Sequence, residues 1–359
     1  MNTHSEIGTG RGRQSIRASQ LIGAAVVTVS LLWYISITKV QAEERFGFQE
    51  PHLGTLVDIT LYAPDETVAN ESARAAFSRI QELNSILSDY DPNSEVMRLC
   101  QAAGSGKPVR VSRELFEVLE KSLEISKATD GAFDVSIGPV VKLWRIARRQ
   151  KKLPPADQLA SARQLVDWRQ ITLNASERTV ELRMAGMLLD FGGIAKGYIA
   201  DQARAVLAAR GIKQSLVAIA GDISAGDPPP GRDGWRIGIA PLDRPDGEPS
   251  RYLRLVNCSV STAGDAFQFV EIAGVRYSHI VDPTTGLGMT VRISVTVVAP
   301  HGVAADGLDT AVCLIGAERG LKLIEQSKGA AALIVEAGID GQKVTESVRL
   351  SEYVAIPGN

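Results

Sequence analysis

Leu188-Leu189-Asp190-Phe191-Gly192-Gly193-Ile194-Ala195-Lys196-Gly197 reads as a strand end, a glycine-rich turn and the start of a helix. Glycines let the backbone approach a ligand closely, and the free N–H groups of a helix start favour phosphate. Lys196 can add a point charge there. The stretch carries neither GxxxxGK[ST] nor GxGxxG, so it is no P-loop and no dinucleotide fingerprint. Outward from it, a helix runs over about 194–210 and closes at Gly211. Short strands at 171–174 and 180–183 precede it, and strands at 215–220, 235–240, 253–260, 292–299 and 331–336 follow. Upstream, 52–62 reads as one strand. A helix with Phe77, Ile80, Leu83 and Ile86/Leu87 on one stripe comes next, then a second one capped by Ser112. Residues 145–167, with Arg145, Arg148, Arg149, Lys151, Lys152 and Pro154-Pro155, read as a solvated connecting region. Strands and helices alternate without a strict βαβ rhythm, which indicates an α+β fold rather than a doubly wound sheet.

Composition narrows the function classes. The 359 residues are 45% hydrophobic, enough for one large domain or two moderate ones. The net charge of −2 comes from 39 basic and 41 acidic residues that are interspersed, so no basic stripe marks a nucleic-acid partner. Cys100, Cys258 and Cys313 are far apart and form no CxxC, and the four histidines form no HExxH pair, which removes the common zinc and redox motifs.

The N-terminus has the pattern of an export segment. Arg11, Arg13 and Arg17 precede an uncharged run over 18–38, and Val40-Gln41-Ala42 resembles a signal-peptidase site. A cleaved signal peptide and an uncleaved membrane anchor both fit this pattern. Residues 1–42 are therefore expected to be a signal or anchor segment and 43–359 the folded domain, on the periplasmic side of the inner membrane.

Asp306-Gly307-Leu308-Asp309-Thr310-Ala311 sets two carboxylates and a hydroxyl at i, i+3, i+4, on one face of a helix. Two readings stand side by side. The acids complement the dipole of a first turn, or they form a cluster of hard oxygens suited to Mg²⁺ or Ca²⁺. His279 lies among apolar residues in Ser278-His279-Ile280-Val281-Asp282-Pro283, where a structural histidine and a catalyst both fit. Gly221-Asp222 and Gly264-Asp265 are compatible with plain turns.

Taken in order, these motifs resemble the ApbE family of FAD:protein FMN transferases. The resemblance runs through Leu53-Gly54-Thr55, 88–95, Gly131-Ala132-Phe133-Asp134, 135–144, 189–197, Ala220-Gly221-Asp222, 261–265, 277–283 and 305–311, and spans about 50–330. It implies a mixed-sheet, two-lobed, T-fold-like α+β domain after the N-terminal segment. It also implies transfer of FMN from the substrate FAD to a Thr or Ser hydroxyl of an acceptor flavoprotein, with AMP released. By the resemblance, Gly193, Asp306, Asp309 and Thr310 would hold Mg²⁺. Leu53, Tyr90, Ala132, Phe133, Asp134, Asp190, Lys196 and Ile280 would contact FAD. His279 would assist removal of the acceptor proton, with Asp309 as the competitor for that role. The acceptor would belong to a membrane electron-transport system, with inner-membrane association of the enzyme. Two departures stand out: Leu53 replaces the methionine that commonly opens the first motif, and no cysteine follows the apolar run for lipid attachment.

Overall fold

The computed structural model describes residues 43–244, 246–249, 251–266 and 268–355. The chain divides into Met1–Ala42 and Glu43–Asn359. The expected signal or anchor segment lies outside the described residues. Among the described residues, no helix is long and apolar enough to cross a membrane.

The first half of the domain is mainly helical. It begins with the hairpin β1 (Glu44–His52) and β2 (Thr55–Ala63), then α1 (Glu66–Leu87), α2 (Glu95–Gln101), β3 (Val109–Arg110) and α3 (Arg113–Ala128). Next come α4 (Gly138–Gln150), α5 (Ala156–Arg163), β4 (Ile171–Asn174), β5 (Thr179–Leu182) and α6 (Ala195–Ala209). The second half supplies β6 (Ser215–Ile219), β7 (Asp222–Ala225), β8 (Trp235–Ile239), β9 (Arg251–Leu255), β10 (Cys258–Gly264), β11 (Phe269–Ile272) and β12 (Val275–Ser278). It ends with β13 (Ile293–Ala299), α7 (Gly302–Gln326), β14 (Ala331–Gly338) and β15 (Gly341–Glu346).

An eight-stranded sheet in the order β1-β2-β6-β7-β10-β13-β14-β15 organises these elements. Every neighbouring pair in it is antiparallel. Helices α1, α6 and α7 lie on one face of this sheet. There Val57, Ile59 and Leu61 of β2 meet Phe77, Ile80 and Leu83 of α1, and Val295 and Val297 of β13 meet Leu308 and Val312 of α7. The other face is closed by the β8–β9 hairpin, where Trp235, Leu253 and Leu255 pack on Val260, Val298 and Leu333. Strand β13 is buried along its whole length, as burial on both faces requires. The α+β expectation therefore holds.

Local chain reversals explain where the sequence reading and the structure part. The expected strand 52–62 is the second arm of a hairpin. Leu53 (φ 54°) and Gly54 (φ 71°) form its two-residue turn, and both take the left-handed backbone such turns need. A leucine gives no local hint of that conformation. The expected strand 253–260 is two strands in different sheets, broken at Asn257 (φ 49°). The supposed connecting region 145–167 is largely helical. Val140, Trp144 and Ala147 of α4 share a buried stripe against Val270, Ile272 and Val281, a spacing hidden among basic residues.

The start of α7 is fixed by its contact with α6. Gly197 and Gly302 face each other, and a Cβ on either would collide with the carbonyl oxygen of the other. The first amide of α7, Gly302 N–H, donates to Asp201 Oδ2 of α6 at 2.6 Å. Because α7 begins at Gly302, Asp306 and Asp309 sit in its second and third turns, not the first. Dipole complementation of a first turn does not account for them. Gly302→Ala is expected to destabilise the protein by about 2 kcal/mol or more, since the facing backbone leaves a methyl no room. Urea denaturation of the variant against the parent protein checks this; an unchanged midpoint would refute the close approach.

Candidate active site

The loop after Leu189 and the N-termini of α6 and α7 converge on a buried acidic cluster. Lys196, near the start of α6, forms an ion pair with Asp222 Oδ2 and lies 3.9 Å from Asp306 Oδ2. Asp306 Oδ2 also accepts the Gly197 amide at 2.9 Å. Ser261 Oγ links the remaining carboxylates, at 2.6 Å from Asp222 Oδ1 and 2.5 Å from Asp309 Oδ2. Asp222, Asp306 and Asp309 are all buried. Sheet pairing brings the outer members together, because Val260↔Ile223 register sets Ser261 beside Asp222.

Three carboxylates thus surround one ammonium in a low-dielectric pocket, and their protonation reflects it. Burial and the charge of Asp222 push the Asp306 carboxyl up to about 7, against the pull of Lys196. Burial, with Asp306 and Asp222 beside it, holds Asp309 well above the usual carboxylate range. Burial works against the charge on Lys196, but Asp306 and Asp222 outweigh it and raise the ammonium above its ordinary value.

This donor set fits a divalent cation. Asp309 Oδ1 is buried with no hydrogen-bond partner, a costly state unless something else satisfies it. Thr310 stands next in line, and its Oγ1 and Cγ2 lie 2.9 Å from where a Cβ on Gly193 would be. Only glycine permits that approach, which brings the Gly193 backbone beside the threonine hydroxyl. Among the described residues, no three His, Cys, Asp or Glu side chains form a metal cage by themselves. Two carboxylates supplemented by a hydroxyl and a backbone carbonyl are hard oxygens of the kind Mg²⁺ accepts.

A second cluster flanks the first. Arg145 of α4 pairs with Asp89, and with Asp190 Oδ2 at 2.8 Å. Its guanidinium lies 4.1 Å from the centroid of the Tyr90 ring. Tyr90 is 75% exposed, so its other face is open. Burial, reinforced by Asp89, pushes the Asp190 carboxyl up to about 6 despite Arg145. Arg148, one turn further along α4, has no ion pair among the described residues, and its charge reaches Tyr90 and His279.

His279 closes the strand pair β11–β12. Its Nδ1 lies 3.2 Å from the Gln268 carbonyl oxygen, which can only accept. A neutral ring therefore carries its proton on Nδ1 and leaves the Nε2 lone pair free. Burial, with Arg148 and Lys196 nearby, lowers its pKa to about 4, against the Gln268 contact.

The other expected contacts are placed differently. Phe133 packs in the main core. Asp134 is buried and accepts from Ser136 N, Ser136 Oγ and Trp168 N, so it holds its own loop to the turn before β4. Ala132 lies half-buried in that loop, its amide donating to the Thr129 carbonyl oxygen at 3.2 Å. Ile280 is buried beside His279. Leu53 packs from the β1–β2 turn against the main core. The ammonium of Lys196 is engaged by carboxylates. Asp222, Ser261, Asp89 and Arg145 were absent from the expected site: the first three lie within motifs of the resemblance but were given no role there, and a basic run concealed the last.

The family model described as ApbE matches residues 53–334. The chain belongs to the ApbE family. A relative from Treponema pallidum, an FAD:protein FMN transferase, is 34% identical over 298 residues, covering 79% of this chain and 82% of its own. One of the same name from Vibrio cholerae is 30% identical over 318 residues, covering 87% and 93%. The solved flavin transferase ApbE from Vibrio cholerae superposes with a TM-score of 0.76 at 29% identity, covering 87% of this chain and 99% of its own. The ApbE protein of Thermotoga maritima gives 0.76 at 26% identity, covering 87% and 100%.

Two outcomes test the site. Asp309→Asn removes the carboxylate whose Oδ1 lacks a partner, so any Mg²⁺-dependent rise in melting temperature seen in the parent is expected to disappear in the variant. Thermal denaturation with and without Mg²⁺ decides it; equal metal stabilisation of both proteins would refute the assignment. His279 is expected to stay neutral on acidification until about pH 4. Its ring-proton NMR signal, assigned with a His279→Gln variant, should show no titration near 6.5.

Proposed function

We propose that this ApbE-family protein transfers FMN from FAD to a hydroxyl of an acceptor protein and that it uses Mg²⁺ to do so. The observation that carries the metal-assisted reading is the orphaned Asp309 Oδ1 within a cluster of three buried carboxylates and one lysine. The enzyme is an FAD:protein FMN transferase. The acceptor side chain is Thr or Ser.

In this reaction the acceptor hydroxyl oxygen forms a bond to the FMN phosphorus. The pyrophosphate P–O bond breaks, and AMP leaves with the bonding electron pair. The hydroxyl proton passes to Nε2 of His279, whose Nδ1–H is turned to Gln268. Low basicity is the counterpart of constant readiness, because the imidazole stays neutral across the physiological range. Asp306, Asp309, Thr310 and the Gly193 carbonyl would hold the cation, which when bound offsets charge developing on the pyrophosphate. Lys196 keeps Asp222 and Asp306 in place. Tyr90, with one open face, offers the isoalloxazine a stacking surface.

The basic flank and apolar run over 11–38 support export to the periplasmic side of the inner membrane, by cleaved signal or retained anchor. The acceptor there is a flavoprotein of a membrane electron-transport system.

The reading is tested with FAD, Mg²⁺ and an acceptor protein, following acceptor mass. A metal-dependent gain of one FMN phosphoester is expected, and Asp306→Ala should lower it by at least about 100-fold while the protein still folds. Free FMN and AMP without acceptor gain would indicate a pyrophosphatase instead. Bound but uncleaved FAD would indicate a flavin-delivery protein.

A further inference from the structure

Arg145 ties together three separate chain segments. From α4 its guanidinium reaches Asp89 in the turn after α1 and Asp190 in the loop before α6. It also covers one face of Tyr90. The arginine is itself held from below, because its neighbours Trp144 and Ala147 are buried in the small core under α4. Asp190 is fixed from both sides, since its Oδ1 accepts the Gly192 amide at 2.8 Å while Oδ2 takes Arg145 at 2.8 Å. The planar fork of a guanidinium suits this double engagement in a way a lysine ammonium cannot match.

The geometry points to Arg145 as the positioning residue for the flavin end of the site. By clamping Asp89 and Asp190 beneath Tyr90, it presents one tyrosine face, and one only, for a flat aromatic ligand. Without it, Asp89 and Asp190 would repel each other, and an exposed tyrosine on a turn would sample several rotamers. Ordering that ring in advance removes a cost otherwise met on binding. The inference rests on the reading of FAD as substrate and of Tyr90 as the surface on which its isoalloxazine stacks.

The experiment is FAD binding by the full chain, read by flavin fluorescence, for the parent and for Arg145→Ala, Arg145→Lys, Tyr90→Ala and the Arg145→Ala/Tyr90→Ala double variant. Arg145→Ala should weaken FAD binding about tenfold or more, with Lys recovering only part of the loss. The double variant should bind little worse than the weaker single variant, because both act through one ring. A merely structural role for Arg145 would instead give additive losses in the cycle, and that result overturns the inference. So does parent-like affinity in Arg145→Ala. If that variant does not fold, Arg145→Lys carries the test, and full affinity in it overturns the inference. A parent protein that binds no FAD would sink the transferase reading along with this one, whereas parent binding with an indifferent Arg145 sinks only this one.

Discussion

The contact between Gly197 and Gly302 is the constraint on which the site depends. Two helix starts can approach this closely only where neither carries a Cβ. Their approach puts the Asp306 carboxylate on the Gly197 amide and the Gly302 amide on Asp201. Each helix thereby satisfies an unpaired N-terminal donor of the other, a need that every helix start has. Positive helix ends meet at the place where negative side chains accumulate. Spread the helices by one methyl and the acids lose both their register and part of their compensation.

Electrostatic tension follows from that geometry. Among the described residues, Lys196 is the one ammonium in the cluster, and it faces three buried carboxylates. Burial and the charge of Asp222 raise Asp306 to about 7, so the protein alone relieves the excess by keeping acids partly protonated. A cation of charge two would relieve it differently and leave the acids ionised. The flavin-end cluster has the opposite character, since Arg145 already bridges its two carboxylates. One half of the site is thus complete in the protein itself, and the other is suited to an added charge.

How much of this was legible varies with the range of the interactions. The turn and helix start at 192–197 and the i, i+3, i+4 face of Asp306, Asp309 and Thr310 were readable because both are local patterns, whereas the strand expected at 188–190 is only an isolated bridge from Leu188 to Ile137. The i, i+4, i+7 stripe of Val140, Trp144 and Ala147 was equally local, but the surrounding arginines and lysines disguised it as surface. Leu53 and Asn257 reverse the chain with side chains that do not announce it. Asp222 and Ser261 meet only through the pairing of β7 with β10, some forty residues apart in sequence, and nothing near either residue encodes the other. Their hydrogen bond is a property of the sheet.

The placement of the acids on α7 also bears on biosynthesis. A ribosome delivers Tyr90, Arg145 and Asp190 long before it delivers Asp306, Asp309 and Thr310. Strand β10 is likewise left without its β13 neighbour until residue 299 has emerged. The residues around Tyr90 therefore precede the acidic centre in the order of synthesis, and the acidic centre waits for residues 306 to 310. A chain that stops short of residue 306 lacks two of the three carboxylates that Lys196 faces.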